Sequence, residues 1–335
     1  MEAKPGLNGS LTVSLIFRED ASSLPAGDVD LAVRLGRALS DLGVRVVEGP
    51  TDSASLVHFI GGHAVERYWA RFSEAIASGL PVVITAMYWS VGEALLRRSA
   101  LMEYSMWERR KAYLRAASQH AWCILATGYA EKEQLENDLG CGNVRVIRLG
   151  VDPFVARAAF YRTYGLKQFI FQAARICQHK NQLALVRAVR HMGIPVVLAG
   201  SVNDPYYLAR IKQEWRRVFY VGHLDKQTLS DAYSSCLVHV LPSWYELPGL
   251  STLEAYVSGA RCVSTERGTA REYLGAGAVY CDPDDEGSIR RAIEAAISTD
   301  QEKVTLPRWT TCAAEHLELY WNAVAHAARG RTVRG

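Results

Sequence analysis

Short runs of Val, Ile and Leu alternate with longer amphipathic stretches along the whole chain, and this alternation restricts its fold more than any other feature. A run apolar at nearly every position suits a strand covered on both faces. An amphipathic segment between two such runs suits a helix that does the covering, so the pattern predicts βα units around parallel sheets. Strands are expected at 11–17, 44–47, 55–60, 81–85, 122–127 and 144–148, and again at 169–173, 195–199, 218–221, 237–241, 261–264 and 278–281. A helix over 29–42 has apolar residues at 31, 35, 38, 39 and 42 and stops at Gly43.

The two halves repeat the plan, and the length of 335 residues agrees with two domains at about 150 residues each. Between them, Gly150-Val151-Asp152-Pro153 is turn chemistry after a strand, and Pro153 disfavours helix at Asp152. The expected architecture is α/β: two Rossmann-like doubly wound parallel-sheet domains facing across a cleft. The first covers 1–150 and the second 151–308, with a C-terminal helix, 309–328, packing back on the first. Ligands of such sheets bind beyond the carboxyl ends of the strands, which suits an enzyme that joins two substrates.

Composition narrows the classes. Half the residues (49 %) are hydrophobic and 22 % charged, which excludes a disordered chain or a coiled-coil rod. A net charge of +3 argues against nucleic acid as a main partner. The start, MEAKPGLNGSLTVSLIF, reads as neither a signal peptide nor a spanning helix, so the expectation is a cytoplasmic protein. Seven cysteines without CxxC or Cys/His spacing read as buried, reduced thiols. No GxGxxG follows the first strand, and Walker A, GxSxG and HExxH sequences are also lacking, which takes weight from hydride transfer and serine hydrolysis.

The second half concentrates the candidate chemistry. After the strand at 169–173, Arg175 and Lys180 lie five residues apart at a strand end and helix start, where cations and free helix amides can hold an anion. Two solvated surface cations would look the same. Further on, Glu246 falls in a loop and Glu254 about one turn into a helix whose first amides belong to Gly249, Leu250 and Ser251. Those amides form a second anion site, and a carboxylate beside it can accept two hydrogen bonds from a vicinal diol such as ribose.

With Arg175/Lys180 as Arg-x4-Lys and Glu246/Glu254 as Glu-x7-Glu, the sequence resembles the retaining glycosyltransferases of family 4, of GT-B fold. Further stretches carry the likeness over 168–298: Val197-Leu198-Ala199-Gly200-Ser201, Val221-Gly222-His223-Leu224, Leu241-Pro242-Ser243, Leu253-Glu254-Ala255 and Cys281-Asp282-Pro283-Asp284. The first half matches only through 146–152. Three departures stand out. Gly27 is the one glycine available in the loop after the first strand, Leu247-Pro248 replaces the usual Gly-Phe, and the family's common first-domain His has no clear equivalent. His63, Tyr88 and Trp89, at other strand ends, are the acceptor-side candidates.

The resemblance implies a retaining, metal-independent transfer of a sugar from a nucleoside diphosphate sugar, which is a substrate, so no cofactor is expected. The acceptor would be a glycan, lipid-linked sugar or small molecule, in glycan, glycolipid or polysaccharide biosynthesis. Arg175, Lys180 and Glu246 would be catalytic, and Gly27, Gly222, His223, Leu224, Gly249, Leu250, Ser251 and Glu254 would bind the donor. The rival readings are a catalytically idle nucleotide-sugar-binding protein and a nucleotide-sugar epimerase of the same fold. Asp282-Pro283-Asp284-Asp285 resembles an Asp-x-Asp metal site but precedes a helix expected at 288–297, where Asp and Pro serve as caps, so no metal site is expected.

One first-half segment stands apart. Residues 95–115 carry Arg97, Arg98, Arg109, Arg110, Lys111 and Arg115 against Glu103 and Glu108, interleaved with Met102, Tyr104, Met106, Trp107, Tyr113 and Leu114. As one amphipathic helix the segment fits ordinary core packing first and peripheral contact with an anionic membrane second.

Overall fold

The structure, a computed structural model, describes residues 11–18, 27–49, 53–153, 155–157 and 160–332. The start of the chain and most of the loop after the first strand, Ala26 included, lie outside the described residues. Each of the twelve runs read as strands holds one, with differences of a residue or two at the ends.

The first compact unit spans the chain up to Gly150 together with Arg308 onward. It contains β1 (Thr12–Ile16), α1 (Gly27–Asp41), β2 (Arg45–Glu48), β3 (Leu56–Ile60), α2 (Trp69–Ala77), β4 (Val82–Thr85), α3 (Gly92–Arg97), α4 (Leu101–Ser118), β5 (Cys123–Ala126), α5 (Tyr129–Leu139) and β6 (Val144–Val146). The second unit, Val151–Pro307, contains α6 (Phe160–Tyr164), β7 (Ile170–Ala173), α7 (Gln182–Val189), β8 (Val196–Ala199), α8 (Pro205–Glu214), β9 (Val218–Tyr220), α9 (Lys226–Ser235), β10 (Val238–Leu241), α10 (Leu250–Val257), β11 (Cys262–Thr265), α11 (Ala270–Leu274), β12 (Val279–Cys281) and α12 (Glu286–Ser298). The last helix, α13 (Trp309–Thr332), belongs to the first unit.

Both sheets are parallel and six-stranded, in the orders β2-β1-β3-β4-β5-β6 and β12-β11-β10-β7-β8-β9. The inner strands β1, β3, β4, β5, β7, β8, β10 and β11 are buried at every position, in keeping with their largely apolar character. The edge strands β2 and β9 are partly exposed. In the second unit, α7, α8 and α12 pack on one face through Leu185, Val186, Ile211 and Ile293. On the other face α9, α10 and α11 pack through Tyr233, Leu253 and Tyr273.

In the first unit α13 lies against α1 and β3. Its inward side is polar in one place: His58 Nδ1 meets the Tyr320 hydroxyl at 2.6 Å, and His58 Nε2 meets Thr85 Oγ1 at 2.8 Å. His316 stacks on His58, and its Nδ1 donates to the Cys312 carbonyl at 2.8 Å. These bonds fix the helix at one register, because each ring nitrogen or hydroxyl left unpaired here would be buried without water.

One expectation is corrected. Residues 95–115 do not form a single helix: α3 ends at Arg97 and α4 begins at Leu101, and Ser99 between them takes a left-handed conformation (φ 54°). The amides of Ser99 and Ala100 close back onto Leu96 and Leu95, which ends α3 without a Gly or Pro to announce the break.

Burial holds His58 well below its ordinary 6.5, with His316 adding to the effect, and burial pushes His316 down to about 4. Both are neutral in the fold and take up protons on unfolding, so they contribute stability that is whole above pH 6.5 and declines as the pH falls toward 4. Urea melts at pH 7.5 and pH 5 should show the loss, and a His316→Gln variant should lose less over the same interval.

Candidate functional site

The strand order of the second unit decides where its site lies. From β7 the chain winds outward through β8 and β9, then returns to place β10 on the other side of β7. The helix after β7 covers one face and the helix after β10 covers the opposite face. The two strand-end loops therefore diverge and leave a crevice at their carboxyl ends. Arg175 and Lys180 stand on the first loop, Glu246 and the start of α10 on the second.

The first loop is held by backbone and amide contacts. Ala174 N–H donates to the Ala199 carbonyl, and Gly200 lies so close that a Cβ there would stand 2.2 Å from the Ala174 oxygen. Gln182 Nε2 donates to the Arg175 carbonyl and Gln172 Nε2 to the Lys180 carbonyl, both at 2.8 Å. Asn181, left-handed at φ 58°, opens α7, and its Nδ2 donates to the carbonyls of Pro242 (3.1 Å) and Pro283 (2.8 Å). One side chain thus ties together the ends of β7, β10 and β12. Arg175 is half-buried and makes no ion pair among the described residues.

Lys180 Nζ donates to Glu246 Oε1 at 2.5 Å, with the side chains 15 % and 7 % exposed. Burial alone would raise the Glu246 carboxyl, but the Lys180 ammonium, with His179 beside it, holds it below its ordinary value. Glu246 is further clamped along its backbone. Its N–H donates to the Arg267 carbonyl at 3.0 Å, its carbonyl accepts from Thr269 N–H at 3.1 Å, and a Cβ on Gly268 would fall 1.9 Å from that carbonyl oxygen. His179 sits beneath the pair, its ring stacked on Tyr245 with centroids 4.2 Å apart and its Nε2–H on the Tyr245 carbonyl. Burial and then the Lys180 charge push His179 down to about 4.

Gly249, at φ 83°, caps α10, and its Cα lies against the Glu246 carboxylate: a Cβ would come 3.4 Å from Oε2. The amides of Leu250 and Ser251 begin the helix, where no preceding helical carbonyl can accept from them. Glu254 is buried one turn further along. The sequence stretch at 222–224 lies after β9. Gly222 takes φ 80°, His223 is exposed, and Leu224 packs into the core.

The aspartates after β12 have other partners. Arg267 binds Asp282 at 2.7 Å and Asp284 at 2.8 Å, while Asp285 caps α12 through the Gly287 amide. Among the described residues no group of three or more His, Cys, Asp or Glu is placed to hold a metal ion.

The first unit has its own divergence point, between β1 and β3. Arg18, after β1, binds Asp28 at 2.9 Å, and both are buried. Gly27 opens α1 beside them. Gly61, at φ 86°, lies between Asp28 and His63, so His63 shares this strand end with the ion pair. Tyr88 is 3 % exposed and its hydroxyl is already engaged, donating to Asp138 at 2.6 Å. Trp89 is half-buried and accepts through its carbonyl from Trp107 Nε1. The buried Glu131 carboxylate accepts from the amides of Tyr88 and Thr127, which ties together the ends of β4 and β5.

Several residues that build these sites carry no motif signal: Asn181 and Glu131 act on partners distant in sequence, and Gln172 and the Arg18–Asp28 pair act across the loops after their strands. His239 on β10 is another. It is wholly buried edge-on to Phe171 and Tyr233, and burial pushes it down to about 3.

Residues 159–306 match the family described as glycosyl transferases group 1. A glycogen synthase of Mycobacterium tuberculosis is 30 % identical over 203 residues, covering 56 % of this chain and 48 % of its own. A serotype-specific mannosyltransferase of Escherichia coli is 28 % identical over 174 residues, covering 48 % of this chain and 21 % of its own. The chain therefore spans about half or less of the curated relatives it matches. The solved structure of sucrose-phosphate synthase from Thermosynechococcus elongatus superposes with a TM-score of 0.69 at 20 % identity, covering 97 % of this chain and 98 % of that one. The fold is shared along nearly the full length.

The Gly268 contact yields a direct test. Gly268→Ala forces a Cβ into the Glu246 carbonyl at a φ of 130° and should destabilise the protein by about 1–3 kcal/mol. Gly142→Ala, where a Cβ meets nothing within 4 Å, should be near neutral in the same thermal melts.

Proposed function

Taking this chain as a glycosyltransferase family 4-like protein of GT-B fold, we propose that it transfers a sugar from a nucleoside diphosphate sugar to an acceptor hydroxyl, with retention and without a metal ion. The observation that carries the reading is the buried Lys180–Glu246 pair lying against the start of α10 at the divergence of β7 and β10. In the transfer, the bond from the anomeric carbon to the diphosphate oxygen breaks and its electron pair goes to the diphosphate. The acceptor oxygen bonds to that carbon on the same face and gives up its proton, for which the departing phosphate oxygen is the nearest base.

Charge grows on the diphosphate as it leaves. Arg175, Lys180 and the amides of Leu250 and Ser251 are the groups suited to stabilise it more in the transition state than in the ground state. An ammonium has three protons, so Lys180 can bind Glu246 and still donate to a phosphate. Glu254, inside α10, would accept from the ribose hydroxyls. Glu246 would orient the donor sugar and balance positive charge at the anomeric carbon. Its lowered basicity beside Lys180 suits a positioning carboxylate better than a nucleophile. Gly222, His223 and Leu224 would border the nucleotide, Gly27 would also serve the donor, and His63 the acceptor, be it a glycan, a lipid-linked sugar or a small molecule.

The two cations should separate under mutation. Arg175→Ala should lower kcat/KM by about 10² or more, roughly 3 kcal/mol, with melting unchanged, because Arg175 is half-buried and holds no ion pair among the described residues. Lys180→Ala should lower activity at least as far and also destabilise the protein, since it leaves the Glu246 charge buried without its partner. An Arg175→Ala enzyme within a few-fold of wild type would remove the site assignment, and sugar isomerisation without transfer would replace the reading with an epimerase.

The glutamates should separate by the part of the donor they reach. Glu254→Ala should weaken free nucleoside diphosphate and intact donor alike, by about 1–3 kcal/mol. Glu246→Gln should bind the diphosphate nearly as wild type does while transfer collapses. Calorimetric titration with the diphosphate and with a non-transferable donor analogue distinguishes the two, and equal weakening of the diphosphate by both substitutions would overturn the roles.

A further inference from the structure

We propose that the α3–α4 hairpin is a docking surface for an anionic lipid membrane. Of the ten exposed large hydrophobic residues among those described, four fall within eleven residues here: Leu96 (47 %), Leu101 (67 %), Met102 (71 %) and Met106 (47 %). On α4 the inward stripe runs through Leu114 and Ala117 into the core. Met102, Met106 and Arg109 lie in the first half of α4, ahead of that stripe, and are exposed to water. Leu101 and Leu96 extend the apolar group across the turn.

The ground beneath this group is rigid and aromatic. Trp107 is half-buried, its Nε1–H bonded to the Trp89 carbonyl and its ring pressed over Gly92, where a Cβ would have only 2.5 Å. Tyr104 lies beside it, with ring centroids 5.9 Å apart. Apolar tips over amphipathic rings, with cations at the flanks, match the chemistry of an interfacial membrane contact.

Charge selects the occupant. Residues 95–115 hold six cations against two glutamates, an excess of four, while the whole chain carries only +3. Arg110 is bound to Glu66 and Lys111 to Glu108, and Arg97 and Arg109 are exposed at the edges of the apolar group. A second copy of the chain would bring the same positive excess against itself, whereas a leaflet of anionic headgroups complements it. No described helix is long and apolar enough to cross a membrane, so the contact is one of adsorption.

The test is cosedimentation of the full chain with vesicles of phosphatidylcholine alone and of phosphatidylcholine mixed with phosphatidylglycerol, at low and high salt. Binding to the mixed vesicles, weakened by salt and slight on the neutral ones, is expected. Leu101→Gln with Met102→Gln should weaken it about tenfold, and Arg97→Glu with Arg109→Glu should abolish the preference for anionic lipid. Thermal melts and nucleoside diphosphate binding should be unchanged in both variants, which keeps this surface separate from the donor site: loss of diphosphate binding by the wild-type chain refutes only the proposed function. No binding, or equal binding to both vesicle types, overturns the proposal. Self-association that disappears in the Leu101→Gln, Met102→Gln variant overturns it too and gives the face to a second copy.

Discussion

Strands that are apolar on both sides can be buried only in a sheet with helices on each face, and this constraint governs the rest of the molecule. It leaves charged groups little place within the layers, so most of the charged chemistry collects at the strand ends. Where neighbouring strands send their helices to opposite faces, as β7 and β10 do, the loops part and those groups surround an open space. The candidate site is therefore a consequence of strand order before it is a consequence of any one residue.

Within that space the arrangement depends on partial burial. A lysine and a glutamate exposed to water would contribute little to each other. Here both are largely enclosed, Glu246 is gripped through its backbone by the loop at 267–269, and its carboxylate rests on the cap of α10. Removing either partner strands the other, so stability depends on Lys180 in a way that it does not on Arg175, which holds no ion pair among the described residues. The same coupling explains why glycine recurs where loops press together. At Gly200 and Gly268 the neighbouring carbonyl occupies the space that a Cβ would need.

The first unit is also a six-stranded parallel sheet, with a different strand order and different chemistry. Its divergence point holds an internal ion pair, Arg18–Asp28, beside His63, and its family likeness is slight in sequence although the fold of sucrose-phosphate synthase spans it. Its surface differs as well. The α3–α4 hairpin turns apolar tips outward.

Much of this was legible in the residues themselves. Largely apolar runs marked all twelve strands, because strands buried on both faces take few polar residues. Gly43 and Asp285 marked a helix end and a helix start through their own backbone or capping chemistry. Arg175, Lys180, Glu246 and Glu254 could be picked out by their spacing at strand–helix junctions. What the sequence could not hold was contact between residues far apart in it. Lys180 and Glu246 are 66 residues apart, Asn181 and Pro283 are 102, and His58 and Tyr320 are 262. Local propensity acts over a few residues, whereas these pairs exist only because the packed strands and helices bring them together. The tertiary structure alone could make a phosphate-type cation into half of a buried pair, assign Asp282 and Asp284 to Arg267, and turn Met102 and Met106 outward.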